Sequence, residues 1–238
     1  MEFTRQWGGR YSTQLGIKLG SGKPDEIFKW FLSAILFGAR ISESVAIRTF
    51  QAFEADGVIS PEKIIQTGWD GLVAILDRGG YVRYDFKTAT KLLGICQALL
   101  DEYDGDLNRL HEMAPDEKAL EERVQNIGKG IGEVTANIFL REMRGIWPKV
   151  DSLPSDLAMG GARDFGFISI RLQNRAIALK QLKNCWLQSG GNSKDFAEFE
   201  SALVRAGLYL RRHRHSKERG MKLVGVRGFE PPASTSRT

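Results

Sequence analysis

Residues 125–156 constrain this 238-residue chain more than any other stretch. They read as helix, glycine-rich hairpin, helix, and then a polar turn that runs into Leu153-Pro154-Ser155-Asp156. The hairpin is Gly128-Lys129-Gly130-Ile131-Gly132, with glycine at alternate positions. Glycine permits positive φ and leaves backbone N–H groups uncovered. Those groups stand at the start of the helix that carries Thr135, Ala136, Ile138 and Phe139. Free amides and the helix dipole favour the same ligand there, a phosphate oxygen. A helix C-cap followed by a turn is spelled by the same glycines, so the reading depends on the rest of the chain.

Apolar residues elsewhere recur at helical spacing. Phe28, Phe31, Leu32, Ile35 and Leu36 form one face of a helix that Gly38 ends. Ser42 caps the next, which carries Val45, Phe50 and Phe53. Ser60-Pro61-Glu62 opens another, and Trp69, Leu72 and Ile75 suggest a further short helix before Gly79-Gly80. Leu92, Cys96, Leu99 and Tyr103 mark a long helix up to Gly105. Asp116-Glu117 opens the first arm of the hairpin, with Leu120, Val124 and Ile127. Short helices follow Asp156, run through Leu172 to Trp186, and begin again at Phe196. Residues 1–27 read as an irregular arm or short helix, with Trp7 and Tyr11 as anchors. No alternating pattern suggests a strand, so the expected class is all-α.

Composition sets wide bounds. The chain is 42% hydrophobic and 26% charged, with a formal charge of +5 and a pI of about 9.2. That balance permits DNA binding without arguing for it. Two cysteines, Cys96 and Cys185, sit among helix-spaced apolar residues and read as buried free thiols; two cannot supply a four-cysteine metal site. His111, His213 and His215 have no metal-ligand spacing, so neither metal nor cofactor is expected. The N-terminus has no apolar signal core, and residues 28–39 are too short to span a membrane, so a cytoplasmic protein is expected. Residues 211–222 are basic, and the tail to 238 lacks periodicity and reads as disordered. Gly228-Phe229-Glu230-Pro231 is also the translation of GGNTTYGARCCN, which resembles an arm of a tRNA gene. A reading frame that runs into such a gene is the expectation, and genomic DNA with no tRNA gene across the stop codon would end it.

Gly130-Ile131-Gly132-Glu133-Val134-Thr135-Ala136-Asn137 resembles the Gly-Val-Gly-x-Lys-Thr-Ala-Asn signature of the helix-hairpin-helix DNA glycosylase superfamily, the group that includes endonuclease III. Residues 28–42 are similar to its first core helix and following loop. The segment from Gly80-Tyr81 to Tyr103-Asp104-Gly105 is similar to its Gly-Tyr turn and long helix. The likeness covers residues 28–166. It implies a two-lobed all-α fold. Residues 28–145 would form a helical lobe ending in the hairpin, residues 1–27 with 146–215 a second lobe, and 216–238 a disordered tail. It implies removal of a damaged or mismatched base from double-stranded DNA, by a monomer, in base-excision repair. Gly128, Lys129, Gly130, Ile131, Gly132 and Thr135 would bind DNA.

Three departures refine that expectation. Val134 stands where bifunctional members carry a lysine that attacks C1′ and leads to strand cleavage; valine has no nucleophile, so base removal by water is implied. An off-motif lysine, Lys129 or Lys149, is the alternative for lyase activity, and a non-catalytic DNA-binding protein is another. The iron–sulfur cysteines are missing. Ala39 occupies the place of a glutamine that fills the gap left by a flipped base, and the adjacent Arg40 is expected to take that role.

The family's carboxylate follows the second hairpin helix. Asp156, in Leu-Pro-x-Asp before a helix, is the preferred candidate and Asp151, in Val150-Asp151-Ser152, the runner-up. Breaking an N-glycosidic bond develops positive charge on the sugar, which a carboxylate beside C1′ stabilises while it orients or deprotonates water. The bland alternative is that Asp156 only caps the next helix. Trp30, Tyr81, Tyr84 and Trp147 could line a base pocket, but plain packing is the commoner role of such residues in a helical protein and none is assigned as the base reader.

Overall fold

The computed structural model describes residues 2–217. They are helical, with no strand among them, and none of their helices is long and apolar enough to cross a membrane. The last helix runs through the basic segment as far as Lys217, two residues into the disordered tail expected from 216; the remainder of the tail, with its tRNA-like spelling, lies outside the described residues.

The chain forms two compact units. The first is Tyr11–Ser152. It holds α2 (Tyr11–Gln14), α3 (Pro24–Phe37), α4 (Glu43–Ala55), α5 (Pro61–Gly79), α6 (Asp85–Tyr103), α7 (Leu107–Met113), α8 (Glu117–Asn126) and α9 (Glu133–Met143). Its centre is α3, buried on every side except its first turn. Trp30 donates from Nε1 to the Phe139 carbonyl at 3.0 Å, and Phe31 meets the Phe139 ring edge-on. Thus α3 and α9 are locked together, which fixes the second hairpin helix to the core. Trp30, Tyr81 and Trp147 are all buried; Tyr81 donates to the Leu36 carbonyl and Trp147 to Asn108, so these three are packing residues rather than an open aromatic pocket.

The second unit joins Met1–Arg10, including α1 (Glu2–Trp7), to the segment that begins at Leu153. It contains α10 (Asp156–Asp164), α11 (Arg175–Gln188) and α12 (Phe196–Lys217). Phe3, Phe165, Phe167 and Phe199 pack edge-to-face at its core, and Trp7 meets Phe165 and Tyr209. Helices α10 and α12 touch backbone to backbone: a Cβ on Gly161 or Gly207 would strike the opposing main chain at Leu203 or Leu157.

Several boundaries depart from the sequence reading. The expected break near residue 27 falls between Arg10 and Tyr11, and the one expected at 145 falls after Ser152. The cause is Glu142, a fully buried carboxylate on α9 that accepts the N–H groups of Tyr11 (2.8 Å) and Ser12 (3.0 Å). It binds this strap to the first unit, while Trp7 belongs to the second. Helix α3 starts at Pro24, four residues earlier than its apolar face begins. The two helices expected across residues 61–79 form one run, kinked at Gly68 (φ +69°). Helix α7 has no counterpart in the sequence reading. Cys96 is buried as expected, but Cys185 is only half-buried, its thiol directed at the Phe167 carbonyl.

Candidate functional site

The hairpin is built from α8, residues 127–132, and α9. Asp116 starts α8 by accepting the Ala119 N–H at 2.8 Å. Val124 and Ile127 are buried and carry the chain to Gly128, which lies against the backbone of Ile95 on α6, too close for a side chain. Gly130 takes φ +98°, a conformation that disfavours any other residue, and turns the chain back. Ile131 is buried and pins the hairpin, while Lys129, Gly130 and Gly132 remain exposed. Gly132 is the N-cap of α9 and, having no side chain, cannot itself cap the first-turn amides. Glu133 opens α9 with a carboxylate that suits the helix dipole and opposes an anion.

Two cations stand at this turn, and a third is carried by a neighbouring loop. Lys129 is on it. Lys91, on α6, extends behind Gly130: a Cβ there would stand 2.8 Å from Lys91 Cε and 3.5 Å from Nζ. Burial lowers the Lys91 pKa. Arg40 is exposed in the loop after α3, and Gly38 of that loop abuts the Thr135 side chain, so the Arg40 loop lies beside the first turn of α9. Thr135 is itself buried and packs rather than presents its hydroxyl. Val134 follows the N-cap by two residues and is 64% exposed. Lys149 is engaged elsewhere, donating to the carbonyls of His111 and Glu112 at the end of α7.

The two candidate aspartates fall in different units. Asp151 belongs with the hairpin. Its carboxylate accepts from Arg144 Nη1 at 2.6 Å, and its N–H donates to Glu117 Oε1 at 2.9 Å. Arg144, with only 5% of its side chain exposed, also donates to the Ser152 carbonyl. Burial, the largest influence, pushes the Glu117 carboxyl up; the Asp151 N–H pulls the other way, and the Asp151 charge adds to the rise. Asp151 is thus part of a brace around a buried guanidinium.

Asp156 is the first residue of α10. The cap is its neighbour Ser155, whose Oγ accepts the Ala158 N–H at 3.3 Å, so capping does not occupy Asp156. Its side chain is 92% exposed, and Oδ1 accepts from Arg175 Nη2 at 2.7 Å. Arg175 begins α11, where Asn174 is the cap. Neither Lys91 nor Arg175 was singled out from the sequence. Lys91 lies in an ordinary helix, and the contact between Asp156 and Arg175 spans 19 residues. Among the described residues no group of three or more His, Cys, Asp or Glu is placed to hold a metal. No protein-family model matches the chain, and no curated protein does.

Proposed function

We propose that the chain is a monofunctional DNA N-glycosylase that removes a damaged or mismatched base. The observation that carries the reading is the hairpin: Gly130 in the left-handed region, Gly132 at the N-cap, Lys129 on the exposed turn and Lys91 behind it. Such a turn takes a DNA phosphate by backbone amides and charge, without reading sequence. Val134 presents no nucleophile beside it. Asp156 supplies the carboxylate. The C1′–N bond breaks with its electron pair leaving on the base, and water oxygen bonds to C1′. The proton given up by that water passes through the carboxylate to the base nitrogen. Arg40 is the residue assigned to the space vacated by the flipped nucleotide, whose extrusion costs a few kcal/mol, less for a mispaired base.

One observation favours a second reading. A carboxylate that is 92% exposed is not desolvated, and a DNA-binding protein without catalysis would carry the same hairpin. Duplexes containing alkylated, oxidised, deaminated or mismatched bases, treated with alkali after incubation to cleave abasic sites, separate the two. Base release supports the enzyme. Salt-dependent duplex binding with no release on any substrate supports the binding protein. Borohydride trapping of a protein–DNA adduct would instead mark a lysine nucleophile.

A further inference from the structure

Asp156 is held by more than a chance surface contact. Helix α10 carries Asp156 in its first turn and Arg163 seven residues later, on the same face. Arg163 donates from Nε and Nη2 to the Leu172 carbonyl (3.3 and 2.8 Å) and from Nη2 to Gln173 Oε1 at 3.0 Å. The next residue, Asn174, accepts the Ile177 N–H at 3.0 Å and so starts α11. Residues 172–174 are therefore tied to the far end of α10 and to the first turn of α11, and Arg175 follows at once. Its guanidinium meets Asp156 Oδ1 at 2.7 Å, while Oδ2 has no partner among the described residues.

An exposed ion pair of this kind adds little to stability. Its physical consequence is orientation. A carboxylate in the first turn of a helix is otherwise drawn toward the free amides of that turn. A donor on one oxygen from a fixed backbone restrains the side-chain torsions and leaves the other oxygen pointing outward.

We propose that Arg175 is the positioning residue of the Asp156 carboxylate. It holds Oδ1, so that Oδ2 faces the sugar carbon and the attacking water. This rests on the glycosylase reading above. The arginine makes no bond to the reacting atoms and acts only through Asp156.

The test uses the full chain and whichever duplex of the base panel the wild type acts on. Arg175→Gln should lower kcat by about ten- to hundredfold, as a displaced catalytic group does, with KM for the duplex nearly unchanged. Arg175→Lys should recover part of the loss. In an Asp156→Asn background, Arg175→Gln should change nothing further. Thermal midpoints compare folding across the set, and Arg175→Lys carries the test if the glutamine variant does not fold. An unchanged kcat in Arg175→Gln overturns the inference. A rise in KM alone does too, since it would mark a phosphate contact. An equal loss in the Asp156→Asn background also overturns it. In those outcomes the wild type still releases base and the glycosylase reading stands. A wild type that releases no base from any duplex overturns that reading and this inference together.

Discussion

Asp151 accepts from a guanidinium that has almost no access to water, whereas Asp156 accepts from one at the surface. The difference separates their predicted phenotypes. Asp151→Asn strands the buried Arg144 charge and should destabilise the protein by about 1–3 kcal/mol, read as a lower urea midpoint, with base release per folded molecule retained. Asp156→Asn should leave the midpoint unchanged and lower base release by about a hundredfold or more. The reverse pattern would assign the catalytic role to Asp151. Both aspartates were legible because short spellings, Val-Asp-Ser and Leu-Pro-x-Asp, flank them. Their partners were not. Arg144 and Arg175 look like any basic residue near a helix end, and only the fold sets one in the core and the other against a distant carboxylate. Trp30, Tyr81 and Trp147 pack inside, as their size favours, but the sequence does not carry the Phe139, Leu36 and Asn108 acceptors that settle them there.

Elements were legible where their starts carry local chemistry. Ser42, Ser60 and Asp116 each accept the N–H three residues on, and all three helix starts follow from residue type alone. Helix α7 escaped because seven residues give too few turns for a periodic pattern, although Asp106 caps it. Leu172 continues the apolar spacing of α11, so periodicity alone sets its start too early; Asn174 caps the helix two residues later. The crossing of α10 and α12 was also hidden. Glycine inside a helix lowers helix propensity, yet Gly161 and Gly207 each let the opposing backbone approach to a distance that excludes a Cβ. Gly161→Ala or Gly207→Ala should destabilise the protein by about 1–3 kcal/mol, because overpacking outweighs the gain in helix propensity. A urea midpoint equal to or above wild type for both would show that the helices separate freely.

The discontinuous arrangement, in which residues near the N-terminus join a unit otherwise built from the C-terminal half, came from the resemblance and not from periodicity. Its boundary depends on one buried carboxylate, Glu142, that no pattern marks as a clamp. Glu142→Gln sets an amide donor against one of the two N–H groups it now accepts. The expected loss is about 2–4 kcal/mol, measured by urea unfolding. The pH dependence of stability follows from the same unit. His111 stacks on Trp147 at 4.9 Å, and its Nε2 is buried without a partner among the described residues. Burial first, and then the Lys149 ammonium, lower its pKa below the ordinary 6.5, against a smaller pull from Glu112. Below pH 6.5 the unfolded chain therefore binds a proton that the folded chain refuses. Stability from this group is complete above that pH and declines as pH falls through the folded value. Glu26 acts lower. Burial raises its pKa, but the Lys29 and Lys18 contacts together leave it below 4.5, so its contribution is full above 4.5 and disappears in more acid solution. Glu117 runs the other way: raised chiefly by burial, it favours the fold below 4.5 and loses that effect as pH climbs through its folded pKa. As pH falls from about 7 towards about 5, protonation of His111 lowers stability while the raised Glu117 and Asp77 carboxyls act with the opposite sign. His111→Phe keeps an aromatic ring on Trp147 and removes the titration. Its urea midpoint should fall less across that interval than the wild-type midpoint, and parallel declines in the two proteins would place the titrating group elsewhere.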